Sequence, residues 1–519
     1  MATAQPYYIT TPIYYVNDRP HIGHAYTTLA CDVMARFKRL DGFDVFFLTG
    51  TDEHGQKVQK AAERAGMDPQ AFCNQVSQNF RDLAPAMNVS NDAFIRTTEA
   101  RHAEASRAIW QAMERAGDIY LGKYAGWYAV RDEAFWSEDE LSEVDGKKIA
   151  PSGAEVEWVE EPSYFFRLSA WSERLLAFYE SHPDFIAPVS RRNEVVSFVK
   201  AGLRDLSISR TTFDWGVPVP GAPEHIMYVW VDALTNYITA LDYPDRDSAS
   251  FKRFWPADLH MVGKDILRFH AVYWPAFLMS AGLAPPKRVF AHGWLLNRGA
   301  KMSKSLGNVL SPYELKERYG LDQTRYFLLR EVPFGSDGYI SHEAMVNRIN
   351  GDLANDLGNL AQRVLSMIQK NCAAQVPECG PLTTDDQALL GKAEALLGSV
   401  RQQMDEQSFH RALEAIWLVV GDANRYIDAQ EPWALRKTDP ARMATVLYVL
   451  AEAIRHIALI VQPFMPEAMA RLLDQLAQPA EARDFTAWGE AGRLATGSAL
   501  PKPVGIFPRF VEEEAGATA

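Results

Sequence analysis

Cysteine is the scarcest side chain in this sequence. Four residues, Cys31, Cys73, Cys372 and Cys379, are spread over 519 positions, and no two stand in C-x-x-C spacing. That excludes a disulfide framework, a zinc knuckle and a thioredoxin-like redox pair, and leaves four small buried or half-buried residues. Long apolar runs are missing as well. The most apolar stretch, Ala453 to Met465, is short and broken by Arg455, His456 and Pro463, so no membrane span is expected. The N-terminus has neither the basic-then-apolar layout of a secretion signal nor the arginine-rich character of a transit peptide, which points to the cytoplasm. Basic charge is in deficit: 53 Lys and Arg face 66 Asp and Glu, a net charge of −13. An acidic body argues against broad phosphate binding but is compatible with a local basic patch.

What is present is an ordinary globular composition, 47% hydrophobic and 23% charged, in a chain long enough for roughly two to four domains. The first third alternates strand and helix signals. Tyr7 to Thr10 reads as a strand, a helix follows Gly23 until Gly42, and Val45 to Leu48 reads as a buried strand. Asp68-Pro69 opens a further helix and Gly117 closes another. This β-α-β order predicts a doubly wound parallel sheet, Rossmann-like, over residues 1–117. The texture changes over 118–227, where hairpin signals such as Asp145-Gly146 mark an inserted connective subdomain. The α/β pattern resumes over 228–340, with a helix near Trp230, a strand at Leu259 to Val262, a helix from Ile266 to Ala281, and a capping box at Ser311 to Glu314. From 341 to 519 the signals are helical, with apolar spacing through Leu353, Leu357, Leu360 and Val364, and a helical bundle is expected.

Two stretches carry phosphate chemistry. Pro20-His21-Ile22-Gly23-His24 lies where a strand turns into a helix. A helix start offers N–H donors and partial positive charge, Gly23 permits close backbone approach, and two imidazoles can donate to phosphate oxygens. Lys301-Met302-Ser303-Lys304-Ser305 is a cationic loop between Gly299 and Gly307, suited to charge developing on a departing pyrophosphate. Each has a bland alternative: two histidines beside a turn, and a solvated basic loop. Their co-occurrence in this order is far beyond chance.

Together these signatures resemble the class I aminoacyl-tRNA synthetases. Pro12 to Asn17, Tyr228 to Ala233, Gly263 to His270 and Tyr426 to Trp433 narrow the resemblance to the methionyl-tRNA synthetases, over nearly the whole chain. The resemblance implies an ATP-dependent ligase that joins L-methionine to its initiator and elongator tRNAs through a methionyl adenylate. It gives catalytic roles to His21, His24, Lys301 and Lys304, and ATP contacts to His21, Gly23, His24, Gly263, Asp265 and Lys304. A methionine site is implied at Ile13, Tyr15, Asp52, Trp230, Ala233, Leu234, Tyr237, Ile266 and His270, and anticodon contacts at Asn359, Arg363 and Trp433, so that the bundle is the anticodon-binding domain. Spacing alone leaves alternatives open. Trp230, Ala233, Leu234 and Tyr237 share a helix face that suits a core as well as a pocket, and Trp433 reads equally as a core tryptophan. Mg²⁺ is expected to enter with ATP.

The chain departs from the family at one point. Many members carry zinc knuckles in the insertion, whereas no cysteine lies between Cys73 and Cys372 here, and Ala129, Asp132, Ala150 and Gly153 stand where ligands belong. His102 and His182 do not make a tetrahedral set, so an insertion without structural zinc is expected. The C-terminal domain that dimerises some relatives is also missing, which favours a monomer. A small-molecule nucleotidylyltransferase has no use for a bundle carrying Trp433. A non-catalytic RNA-binding relative has no use for the histidine and lysine motifs.

Overall fold

The aromatic and β-branched run near the N-terminus forms strand β1 (Pro6–Thr10). It is the centre of a seven-stranded sheet in this computed structural model, which describes residues 4–16, 19–132, 134–297, 300–301 and 310–512. The other strands are β2 (Tyr14–Tyr15), β3 (Asp44–Asp52), β4 (Ala93–Arg96), β5 (Ile186–Ala187), β6 (Leu259–Gly263) and β7 (Val289–His292). The order is β5-β7-β6-β1-β3-β2, with β4 also pairing β3. The pairs β1–β6, β6–β7, β5–β7, β2–β3 and β3–β4 are parallel, as the β-α-β alternation predicts. Strand order reverses about β1, which leaves a crevice beyond its C-terminal end, the usual place for a ligand in an open α/β sheet.

The chain divides into two compact units. One comprises Pro6–Pro20 and Val45–His292; the other comprises Met1–Gln5, His21–Asp44 and Gly293–Ala519. The first holds the sheet. Its core gathers Tyr8, Leu48, Trp110, Val262, Trp274 and Phe277 in one buried cluster. Two helices of this unit matter below. The one called α2 here (Ala100–Arg115) follows α1 (Ile22–Leu40) of the other unit, and α3 (Val229–Thr239) lies beyond the insertion. The insertion is built on a long antiparallel pair, Ile119–Ala129 with Glu157–Phe166. Asp145 and Gly146, both at positive φ, turn the hairpin between Ser142–Val144 and Lys147–Ile149.

The helix expected from Ile266 to Ala281 is present but not uniform. Lys264–Ile266 is a 3₁₀ turn, Leu267 and Arg268 are α-helical, Phe269–Tyr273 is a π turn, and α-helix resumes over Trp274–Ser280 without interruption. Pro275 accounts for the π turn: it has no N–H to offer the Ala271 carbonyl, which accepts instead from the Tyr179 hydroxyl at 2.7 Å.

In the second unit, α4 (Pro312–Tyr319) and α5 (Leu321–Arg330) lead into a π segment, Ile349–Gly358, and then a bundle. The bundle comprises α6 (Asn359–Asn371), α7 (Thr384–Asp405), α8 (Phe409–Gln430), α9 (Pro432–Thr438), α10 (Pro440–Val461) and α11 (Pro466–Gln475). Leu353, Leu357, Leu360 and Val364 are fully buried, as their spacing predicts. Ser311 does sit at the N-cap of α4, but its side chain makes no cap bond, so the expected capping box is not formed; Pro312 takes the first helical position instead. By length and composition α10 is apolar enough to cross a membrane, yet nearly all of its most apolar window is packed inside the bundle. It is a core helix.

Candidate active site

Two imidazoles build the cap of α1. His21 is the N-cap, and its Nδ1 accepts from the Gly23 N–H at 3.0 Å. The His21 N–H donates to His24 Nδ1 at 3.1 Å, and the rings stack with centroids 3.9 Å apart. The other early donors are also used: the Ile22 N–H reaches the Leu310 carbonyl and the His24 N–H the His21 carbonyl, both at 3.0 Å. The expectation of open backbone donors at this helix start therefore gives way to side-chain donors. With Nδ1 accepting, each neutral ring carries its proton on Nε2. Burial, and after it the neighbouring His21, hold His24 well below the ordinary imidazole value. Gly23 has a local reason to be glycine, since a β-carbon there would lie 2.9 Å from His21 Cε1. Of the lysine loop, Lys301 closes a two-residue strand, Ala300–Lys301, paired with Leu295–Asn297. Lys304 lies outside the described residues.

A small pocket opens in the first unit, lined by Pro12, Ile13, Tyr15, Asp52, Trp230, Ala233, Leu234, Asn236, Tyr237 and His270. Four separate chain segments converge there. Tyr15 and Asp52 are register partners in the β2–β3 pair, which sets the carboxylate beside the aromatic ring. Trp230, Ala233, Leu234 and Tyr237 come from one face of α3. The Trp230 ring stacks on Phe269 at 3.9 Å and 13°. Tyr237 donates its hydroxyl proton to His270 Nε2 at 2.7 Å, while His270 Nδ1 donates to the Ile266 carbonyl at 3.0 Å. Burial lowers the His270 value to about 4, against weaker opposing pulls from that carbonyl and from Asp265, so the ring is neutral. One carboxylate among aromatic walls, with one Tyr–His pair, suits a ligand with an ammonium group and an unbranched, polarisable side chain.

Of the nine residues expected at an amino-acid site, eight line this cavity. Ile266 does not. It packs against the surrounding apolar cluster and contributes its carbonyl to His270. The sequence reading missed Pro12 and Asn236, and also Phe269, although Phe269 lies next to His270 in a stretch already singled out. Gly263 ends β6, and a β-carbon there would lie 2.6 Å from Asp265 Oδ1, so the glycine admits that carboxylate over the strand end.

The same unit holds four buried groups to which the sequence reading assigned no site role: His54, His102, Asp232 and Glu53. His54 Nδ1 lies 2.6 Å from Asp232 Oδ2, and His102 Nε2 lies 2.7 Å from Asp232 Oδ1. Burial alone would raise the Asp232 carboxyl, but His54 and His102 outweigh it and hold the group well below the usual carboxylate range. Glu53, between Asp52 and His54, is fully buried and gripped by the Arg96 guanidinium at 2.7 and 2.9 Å.

In the bundle, Trp433 is 43% exposed, which overturns its reading as a core tryptophan. The Arg363 guanidinium lies over its ring at 5.5 Å and also donates to Asp428 at 2.8 Å. Asn359, exposed and one turn before Arg363 on α6, shares its helix face. In the insertion, Ala129 and Ala150 meet Ala154 and Val156 in a small buried apolar cluster, and Asp132 is hydrogen-bonded to Ser152. Methyl groups stand where metal ligands would, so these side chains do not fit a zinc ion. Among the described residues, no three His, Cys, Asp or Glu side chains converge to hold a metal.

Residues 7–365 match the family described as tRNA synthetases class I (M), and residues 376–518 match the anticodon binding domain of methionyl tRNA ligase. The methionine–tRNA ligase of Rhizobium meliloti is 60% identical over 516 residues, covering 99% of this chain and all of that one. Its Mycobacterium tuberculosis counterpart is 58% identical over 511 residues, covering 98% of both chains. A structure of the M. tuberculosis synthetase in complex with methionyl-adenylate superposes with a TM-score of 0.96, at 58% identity, covering 97% of this chain and all of that one. Its apo form superposes with a TM-score of 0.90, at 55% identity, covering 98% and 99%. The chain belongs to the methionyl-tRNA synthetases of class I.

Proposed function

We infer that the chain is a methionine–tRNA ligase that works in two steps. The methionine carboxylate attacks the α-phosphorus of ATP, forming methionyl adenylate and releasing pyrophosphate. The terminal ribose hydroxyl of the tRNA then attacks the activated carbonyl and releases AMP. A carboxylate is already a nucleophile, so the first step rests on alignment and charge stabilisation rather than on a strong base. The observation that carries this reading is the cavity joining Asp52 to Ile13, Tyr15, Trp230, Ala233, Leu234, Tyr237 and His270.

In this reading Asp52 binds the substrate ammonium and the aromatic walls take the thioether. The Nε2 protons of His21 and His24 face the phosphates of ATP, Asp265 beside Gly263 holds the ribose, and Lys301 and Lys304 neutralise the departing pyrophosphate. Mg²⁺ enters as part of the nucleotide substrate. Trp433, stacked beneath Arg363, offers an exposed aromatic platform for an unpaired anticodon base, with Asn359 one turn before Arg363 on α6 as a further contact. We place the enzyme in the cytoplasm, as a monomer serving both initiator and elongator methionine tRNAs. ATP–pyrophosphate exchange with each of the standard amino acids in turn is the direct test. Exchange with methionine alone is expected, and exchange with a different amino acid in its place would overturn the assignment.

A further inference from the structure

Asp232 lies on α3 between Trp230 and Ala233, and both of its oxygens are taken, by His54 and by His102. All three side chains are buried, at 1%, 8% and 0% exposure. Each partner comes from a different element. His54 is two residues beyond Asp52, where β3 ends, and His102 belongs to α2. His102 also reaches α3 a second time, with Nδ1 3.0 Å from Thr239 Oγ1, about two turns from Asp232 on the same face. One carboxylate therefore ties the strand end that presents Asp52 to the helix that supplies Trp230, Ala233, Leu234 and Tyr237.

The other side of this strand end is held just as firmly. Glu53 accepts both Arg96 bonds and a third from the Thr51 hydroxyl at 2.8 Å. Its carbonyl accepts from the Trp215 indole at 2.6 Å, and the Gly55 N–H returns to the Trp215 carbonyl at 3.0 Å. With Glu53 and Gly55 clamped on one side, the His54–Asp232 bond is what links this turn to α3. A buried charge-assisted bond has a narrow range of length and angle, so it transmits position with little slack.

We propose that Asp232, held by His54 and His102, is a positioning residue for amino-acid recognition: it sets the distance between the Asp52 carboxylate and the α3 wall of the cavity. The proposal rests on the reading of this cavity as the methionine site. Its chemical consequence is a split between binding and turnover. Releasing α3 from the β3 end weakens a site that must grip an ammonium and a side chain at once, while the nucleotide contacts stay as they were.

The test uses the full chain and ATP–pyrophosphate exchange, with the active fraction of each variant titrated. Asp232→Ala and His54→Ala are expected to raise the methionine KM by roughly 10- to 100-fold, with the ATP KM and the per-site kcat changed by less than about threefold. His54→Asn and His102→Gln keep a donor near the Nδ1 and Nε2 positions, and their methionine KM is expected to stay within about threefold of the wild type. If Asp232→Ala does not fold, His54→Ala decides by the same criterion. A fall in active fraction or kcat with the methionine KM unchanged would overturn the proposal, as would conservative variants as impaired as the alanines. Failure of the underlying reading looks different: the wild type itself would not exchange with methionine.

Discussion

His21 and His24 form a cap from their own imidazoles, which leaves the proton of each neutral ring on Nε2. His24→Ala is expected to slow adenylate formation by on the order of 10²–10³ in single-turnover assays, with methionine affinity nearly unchanged. Lys304→Ala is expected to act in the same way. The lost cap bond itself is worth about 1 kcal/mol of stability, so a modest fall in Tm accompanies the kinetic effect without accounting for it. An equal loss of methionine affinity would mean that the pair only caps the helix. Trp433 calls for the opposite pattern. Trp433→Ala is expected to weaken tRNA charging by about 1–3 kcal/mol while amino-acid-dependent pyrophosphate exchange is unaffected. Because the side chain is 43% exposed, little stability is expected to go with it. Equal damage to both reactions would make it a structural residue.

Helix α1 is anchored within its own unit by a buried ion pair. Arg325 of α5 donates to Asp32 of α1 at 2.6 Å and to the carbonyls of Phe464 and Pro463 at 3.0 and 2.9 Å, and both charged side chains are fully buried. Arg36 also donates to Asp32 at 2.8 Å, so losing Arg325 leaves the buried carboxylate with one cation where it had two. Arg325→Met is expected to cost about 2–3 kcal/mol in urea unfolding, and adding Asp32→Leu is expected to restore part of it, because the half-compensated carboxylate is then gone. A double variant no more stable than the single one would show that the carbonyl contacts, not the charge, carry the effect. The insertion makes its own corner from Ala129, Ala150, Ala154 and Val156. Elemental analysis of purified protein is expected to find no stoichiometric zinc, and chelation to leave the circular dichroism unchanged. Tightly held zinc with four assignable ligands would contradict this.

Acid stability is a property of the whole chain. Burial lowers His270 and His456 to about 4, and His24 and His260 move the same way. An imidazole with a depressed folded-state value makes its full contribution above the unfolded value near 6.5 and loses it as pH falls through the folded value. For His270 and His456 the loss is about 3 kcal/mol each over that range, and His24 and His260 add to it in the same direction. Asp322 works against them. Burial raises it to about 6, so the folded state takes up a proton that the unfolded chain releases, and stability grows as pH falls through that range. Four histidines outweigh one carboxyl, so the urea midpoint is expected to fall from pH 7 to pH 4.5. Asp322→Asn is expected to raise stability at pH 8, to change little near pH 4, and so to steepen the acid loss. A midpoint that rises on acidification would show that the buried histidines are not neutral.

The order of strands and helices was legible because periodicity is a local property. Runs such as Tyr7 to Thr10 and the spacing of Leu353, Leu357, Leu360 and Val364 declare their elements without outside help. The residues of the cavity and of the α1 cap were named ahead of folding by the resemblance to the synthetases, since the spacing of Trp230, Ala233, Leu234 and Tyr237 by itself suits a core as well as a pocket. What the sequence could not decide are outcomes of folding. Trp433 is equally a core residue or an exposed platform until the bundle closes and leaves it outside. The π turn over Phe269–Tyr273 depends on where the Ala271 carbonyl finds a donor once Pro275 withholds one, and that donor, Tyr179, lies 92 residues away. Asp232 and His102 are 130 residues apart, and nothing in the spacing of either points to the other. Their bond exists because α2 and α3 pack together, and a buried carboxylate, once placed there, must find donors or raise the cost of folding.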